Sequence, residues 1–134
     1  QRGTLDGRLD RIAFATTYEE EEKKALDQLL AFAAPFDAEI HCINVDTSHT
    51  HFYHQRMKKL RDTYADYGQL HFEVLDGVDI VEEITGYLET RPIDILAMVT
   101  HRRTFLQQLF NYSKAKQMAY HASTPILSFP AASL

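Results

Sequence analysis

The feature that most constrains this chain is an alternation, sustained along its length, between short apolar runs and stretches in which apolar residues recur every three or four positions. A short apolar run bounded by turn formers reads as a strand, and a stripe at helical spacing reads as a helix laid on a sheet. Arg11 to Thr16 (RIAFAT) is the first run, and Ala25, Leu26, Leu29, Leu30 and Ala33 then share one helical face. Thr17 followed three residues later by Glu20 has the form of a capping box, and Glu19 to Glu22 suit the positive end of a helix dipole as a solvated first turn. Ala38 to Val45 (AEIHCINV) reads as a second strand, with Ile40, Cys42 and Asn44 on one face and His41, Ile43 and Val45 on the other. Tyr53, Met57, Leu60, Tyr64 and Tyr67 stripe a second helix that Gly68 ends.

Leu70 to Leu75 alternates Leu70, Phe72 and Val74 against His71, Glu73 and Leu75. The turn Asp76-Gly77 leads through Asp79 to a third helix carrying Ile80, Ile84 and Leu88, which Pro92 stops. Ile93 to Val99 (IDILAMV) has the nearly continuous apolar character of a central strand buried on both faces. Leu106, Leu109, Phe110, Met118 and Ala122 mark a last helix, and Pro125 to Phe129 is a short strand fenced by Pro125 and Pro130, which suits a sheet edge. Five strands alternating with four helices predict an α/β fold with a doubly wound parallel sheet. Such a sheet takes ligands beyond the carboxyl ends of its strands, where the strand order reverses. The segments to watch are therefore Thr16 to Glu19, Val45 to His49, Asp76 to Val78 and Thr100 to Phe105.

Composition narrows the function classes. With 134 residues, 45% of them apolar, the chain is long enough for one self-supporting core. Residues 1–9 are polar and read as a linker or tag remnant ahead of a domain spanning 10–134. A formal charge of −5 argues against a nucleic-acid partner, and no run approaches the roughly 18 apolar residues of a membrane span. The single cysteine, Cys42, allows neither a disulfide nor a cysteine-based zinc site, which fits a reducing, cytoplasmic setting.

His49, His51 and His54 lie close together, but Asp46 is the only nearby acid, so they read as solvent-exposed residues and not as a metal site. His101 stands at the end of the fourth strand, where a general base would be useful. The chain has no Gly-x-Ser-x-Gly elbow and no P-loop, and no catalytic residue is assigned. The expectation is a protein that is not an enzyme.

The last third, from Asp94-Ile-Leu-Ala-Met-Val-Thr-His-Arg-Arg-Thr-Phe through His121-Ala-Ser-Thr-Pro-Ile-Leu, resembles the universal stress protein family. Met98, Thr100, His101, Arg103, Ser113, His121, Ala122 and Pro125 fall in register with its signature region. Gly77 with Ile84 is similar to its Gly-x-x-x-x-x-x-Ile segment, and Ala15-Thr16 to its first strand end. The resemblance implies a five-stranded sheet in the order 3-2-1-4-5, of the adenine nucleotide alpha hydrolase-like, Rossmann-like kind. It also implies pairing of last strands across a two-fold axis. Here that is Pro125, Ile126, Leu127, Ser128 and Phe129, in a homodimer or a tandem-domain pseudo-dimer.

The departures bear on function. Nucleotide-binding members wrap phosphates in glycines, because backbone N–H groups approach an anion closely only where no side chain intervenes. The resemblance places those glycines at Arg102, Phe105 and Tyr112, with Ser113 retained. It places the nucleoside-binding aspartate at Thr17 and a further glycine at Val99. No cofactor is therefore expected, and the implied reading is a stress-response module with a degenerate ATP loop. The alternative is a remodelled pocket for ATP, AMP or phosphate, with Arg102 and Arg103 beside a helix start that favours anions. The candidate ligand residues are Thr16, Thr17, Val45, Gly77, Thr100, His101, Arg102, Arg103 and Ser113.

Overall fold

The computed structural model of the chain describes residues 9–18, 22–47, 52–100, 107–108, 111 and 125–130. Its strands are β1 (Arg11–Ala15), β2 (Glu39–Asp46), β3 (Leu70–Asp76), β4 (Ile95–Thr100) and β5 (Ile126–Pro130). The helices α1 (Lys23–Ala33), α2 (Phe52–Thr63) and α3 (Ile80–Thr90) alternate with them, and a short 3-10 turn at Ala34–Phe36 follows α1. All neighbouring strands run parallel, in the order β3-β2-β1-β4-β5. The last helix expected from Leu106, Leu109, Phe110, Met118 and Ala122 falls mostly outside the described residues. Residues 107–108 and 111 are helical, and the Gln107 amide donates to Asn111 Oδ1 at 3.3 Å, one helical turn away.

Period-2 side-chain direction splits the sheet into two faces. Ile12, Phe14, Ile40, Cys42, Leu70, Ile95 and Ala97 meet Ala25, Leu26, Leu29 and Ala33 of α1 and Leu60 of α2. Ala13, Ile43, Val45, Leu96 and Met98 meet Val81, Ile84 and Tyr87 of α3 on the other side. Helices on both faces explain the apolar continuity of β4, whose residues Ile95 to Met98 are all buried. At the edge, Leu127 and Phe129 of β5 pack on the core while Ile126 and Ser128 face outward. Burial also pushes the Cys42 thiol well above its usual range, so it packs as a small apolar group. Among the described residues no helix is long and apolar enough to cross a membrane.

Three local expectations change. Glu20 of the expected capping box lies outside the described residues, and α1 starts at Lys23 with Glu22 as its N-cap and without a side-chain cap. Glu22, expected in solvent, is only 4% exposed, because its carboxylate turns back to the end of β1. In α2 the helix ends at Thr63, so Tyr67 lies beyond it and is exposed, while Tyr64 is buried and donates to Asp27 Oδ1 at 2.6 Å. In α3 the buried face is Val81, Ile84, Thr85 and Tyr87, and Ile80 is exposed. The Asp79 carboxylate accepts the Glu82 N–H at 3.2 Å and fixes that phase.

Candidate functional site

β1 runs out to β2 on one side while β4 lies on its other side, so the strand order reverses between β1 and β4. A crevice is expected beyond their carboxyl ends. The chain here is tightly bonded. The Thr16 N–H donates to the Ile43 carbonyl at 2.9 Å, which continues the β1–β2 ladder past Ala15. The Asn44 amide donates to the Thr16 carbonyl at 2.9 Å. Glu22 then collects both threonines, accepting from the Thr16 hydroxyl and, at 3.0 Å, from the Thr17 N–H. Arg56 reaches from α2 to the Thr17 carbonyl at 3.2 Å.

Tyr18 completes the turn. Its φ of 60° lies in the left-handed region that costs a non-glycine residue on the order of 1–2 kcal/mol. That conformation sends the side chain under the sheet, where its ring tilts on Phe72 with centroids 6.3 Å apart. The hydroxyl donates toward the Glu73 carbonyl at 2.6 Å and the Cys42 carbonyl at 3.0 Å, and accepts the Glu73 N–H at 3.2 Å. Burial drives its phenol far above the usual range, with the buried Cys42 thiol adding to the effect, so it serves as a neutral bonding group.

The sequence-derived ligand residues divide as follows. Thr16, Thr17, Val45 and Gly77 all lie at the carboxyl ends of β1, β2 and β3, and Thr100 ends β4. His101, Arg102, Arg103 and Ser113 lie outside the described residues, as do His49 and His51. The Thr16 hydroxyl and Thr17 N–H are already engaged by Glu22, whereas Thr17 Oγ1 and Asn44 Oδ1 are buried without a hydrogen-bond partner among the described residues. Gly77 has a packing reason of its own. A Cβ there would meet Glu83 Cγ at 2.3 Å, so the absent side chain leaves room for Glu83 over the β3–α3 turn.

Gly77→Ala is accordingly expected to cost about 1 kcal/mol by overpacking. Most of that loss should vanish in a Glu83→Ala background, since the two residues collide directly. Urea unfolding of the four proteins of the cycle checks it; additive costs would mean that Glu83 is not what excludes a side chain at position 77.

A second polar grouping, on the α3 face near the opposite strand ends, was not marked by the sequence patterns. Glu39 and His41 of β2 sit beside His71 of β3, with His41 and His71 in direct register. Glu39 Oε1 lies 3.2 Å from His41 Nε2, 3.8 Å from His71 Nε2 and 3.5 Å from Arg11 Nε. These neighbours, His41 first, hold the Glu39 carboxyl below its usual range. Partial burial, its largest influence, lowers the basicity of His41. The available signal was a histidine directly after the first buried residue of two adjacent parallel strands, His41 after Ile40 and His71 after Leu70.

Five parallel strands in the order 3-2-1-4-5, with helices on both faces and a reversal of strand order between β1 and β4, define a doubly wound, Rossmann-like α/β domain. The chain belongs to the universal stress protein family, whose model matches residues 8–130. Among solved structures it is similar to a universal stress protein in complex with cAMP, at 12% identity and a TM-score of 0.67 over 92% of this chain and 98% of that one. It is also similar to a universal stress protein family member from Burkholderia pseudomallei, at 18% identity and a TM-score of 0.66 over 90% and 96% of the two chains. A comparison with curated proteins returned no match.

Proposed function

We propose that this domain is a stress-response module of the universal stress protein type that works in the cytoplasm through regulatory pairing and not by catalysis. In this reading its crevice does not hold a triphosphate in the glycine-loop manner. The observation that carries the reading is the Glu22 carboxylate. It occupies the Thr16 hydroxyl and the Thr17 N–H, donors that would otherwise face an anion at the end of β1, and its own charge opposes a polyphosphate. The sequence adds bulk at Arg102, Phe105 and Tyr112, where close backbone approach to phosphate requires glycine.

The pairing partner is a second domain of the same kind, docked along Pro125 to Phe129, in a homodimer or a tandem pseudo-dimer. β5 supports this because it ends the strand order of the sheet among the described residues and turns Ile126 and Ser128 outward. No nucleic acid or membrane takes part.

A second reading, a pocket for a nucleotide or other anion, is favoured by one observation. Thr17 Oγ1 and Asn44 Oδ1 are each buried without a hydrogen-bond partner among the described residues, a donor and an acceptor that a polar ligand edge would satisfy. A cyclic monophosphate, such as the cAMP held by the structural neighbour, presents one phosphate and makes less demand on a glycine loop than a triphosphate.

Calorimetry with ATP and with cAMP, run beside sedimentation of the chain, tests both readings. The proposal expects a dimer mass and no saturable heat with ATP. Saturable ATP binding or a monomer at high concentration would overturn it, and saturable cAMP binding alone would select the second reading.

A further inference from the structure

We propose that Glu39, His41 and His71 form a binding site for a divalent transition-metal ion of the zinc class, clipping the edge strand β3 to β2. The three donor atoms, Glu39 Oε1 and one ring nitrogen from each histidine, lie within 4.8 Å of one another. Zinc holds imidazole nitrogen and carboxylate oxygen at about 2.0–2.2 Å, so ligands on a tetrahedral ion stand roughly 3.3 Å apart. The observed separations of 3.2 Å from Glu39 Oε1 to His41 Nε2 and 3.8 Å to His71 Nε2 are already near that spacing. Because the stacked rings are nearly parallel, their nitrogen lone pairs do not converge as they stand, and the half-exposed His71 ring must swing out of the stack to close the set.

The sheet itself builds this arrangement. Direct register of His41 with His71 on parallel strands stacks the two rings, with centroids 4.6 Å apart and planes 19° from parallel. Both rings then direct Nε2 toward the one carboxylate oxygen, and Glu39 enters the same face two residues before His41. A ligand set carried on paired strands is held more precisely than one on a loop.

Two imidazoles and one carboxylate suit zinc and its neighbours in the first transition row and do not suit calcium or magnesium, which prefer all-oxygen shells. Glu39 and His71 are 44% and 48% exposed, which gives an ion access and leaves a coordination position to water. The nearest cation is Arg11, 3.5 Å from Glu39 Oε1, and it must turn toward solvent when an ion binds. Glu73, on the same sheet face in register with Ile43, adds negative charge one step along β3.

The test is calorimetric titration of Zn2+ into the tag-free, metal-stripped chain, with Co2+ absorption in the visible as a report of coordination geometry. Wild type, His71→Ala, Glu39→Gln and the double variant His49→Ala/His51→Ala are compared. The expected result is one equivalent bound by wild type, binding at least tenfold weaker in His71→Ala and Glu39→Gln, and unchanged binding in the double variant. The altered side chains in the single variants lie about half in solvent, and matching urea midpoints without metal verify that the fold is retained. Absence of Zn2+ binding by wild type, equal binding by His71→Ala, or loss of binding in the double variant would each overturn the proposal.

Discussion

Tyr18→Phe is expected to lower unfolding stability by about 2 kcal/mol, because it strands buried polar groups while keeping the ring. The hydroxyl reaches from the β1 end to hydrogen-bond both β2 and β3. It donates toward the Cys42 and Glu73 carbonyls and receives the Glu73 N–H. At 4% exposure, no water replaces it. Tyr18→Ala adds the loss of the ring against Phe72 and leaves a cavity, so the total cost rises to about 4 kcal/mol.

Both variants keep a non-glycine residue at a φ of 60°, so the backbone strain is common to them and cancels in the comparison. Urea unfolding supplies the measurement, with a shifted midpoint at an unchanged slope. A Tyr18→Phe protein within 0.5 kcal/mol of wild type, on the order of a neutral surface change, would show that the hydroxyl bonds contribute nothing net.

Tyr18 also marks the boundary of what the sequence reveals. Strands and their order were legible because apolar runs and helical stripes repeat, and repetition averages out local ambiguity. Tyr18 stands between two elements and belongs to no period. Its insertion depends on a left-handed backbone turn that propensity does not announce for tyrosine. The helix start was misplaced for a related reason: α1 begins at Lys23, and the last of the four acids points back into the fold toward Thr17.

The phase of α3 was ambiguous for a different reason. Ile80 and Val81 are both apolar, and Val81, Ile84 and Leu88 fit the helical period as well as Ile80, Ile84 and Leu88. Structure favours the first because Thr85 is hidden at no polar cost, its hydroxyl donating to the Val81 carbonyl at 2.9 Å and the Glu82 carbonyl at 3.0 Å. For the candidate site, Thr16, Thr17, Val45 and Gly77 were found at strand ends by a topological rule. Their internal engagement by Glu22 and Glu83 depends on side-chain directions that the rule does not carry. His41 and His71 were each visible as a strand residue facing away from Ile40 and Leu70. Their meeting required the register between two strands separated by a whole helix.

Asp94→Ala is expected to cost about 2 kcal/mol, since it removes a buried carboxylate that satisfies two partly buried N–H donors. Asp94 is 3% exposed and immediately precedes β4. Its Oδ2 accepts the Asp10 N–H at 2.8 Å and the Arg11 N–H at 3.0 Å, while its own N–H donates to the Arg11 carbonyl at 2.9 Å. One residue therefore closes the amino end of the β1–β4 pair, the pair at which the strand order reverses. An acid within an otherwise apolar run is tolerated because the strand starts there and the two amides have no ladder partner to lose.

Asp94→Asn keeps an acceptor oxygen in nearly the same place and gives up the charge, so its cost should be about 1 kcal/mol, near that of a neutral hydrogen bond. The Asp10 and Arg11 amides should exchange with solvent faster in Asp94→Ala than in Asp94→Asn, while amides in the middle of β1 follow global stability. Equal unfolding midpoints for the two variants would mean that the acceptor is dispensable. The start of β1 would then be held by the burial of Leu9 and Ile12 together with the backbone bonds to the Asp10 and Arg11 carbonyls.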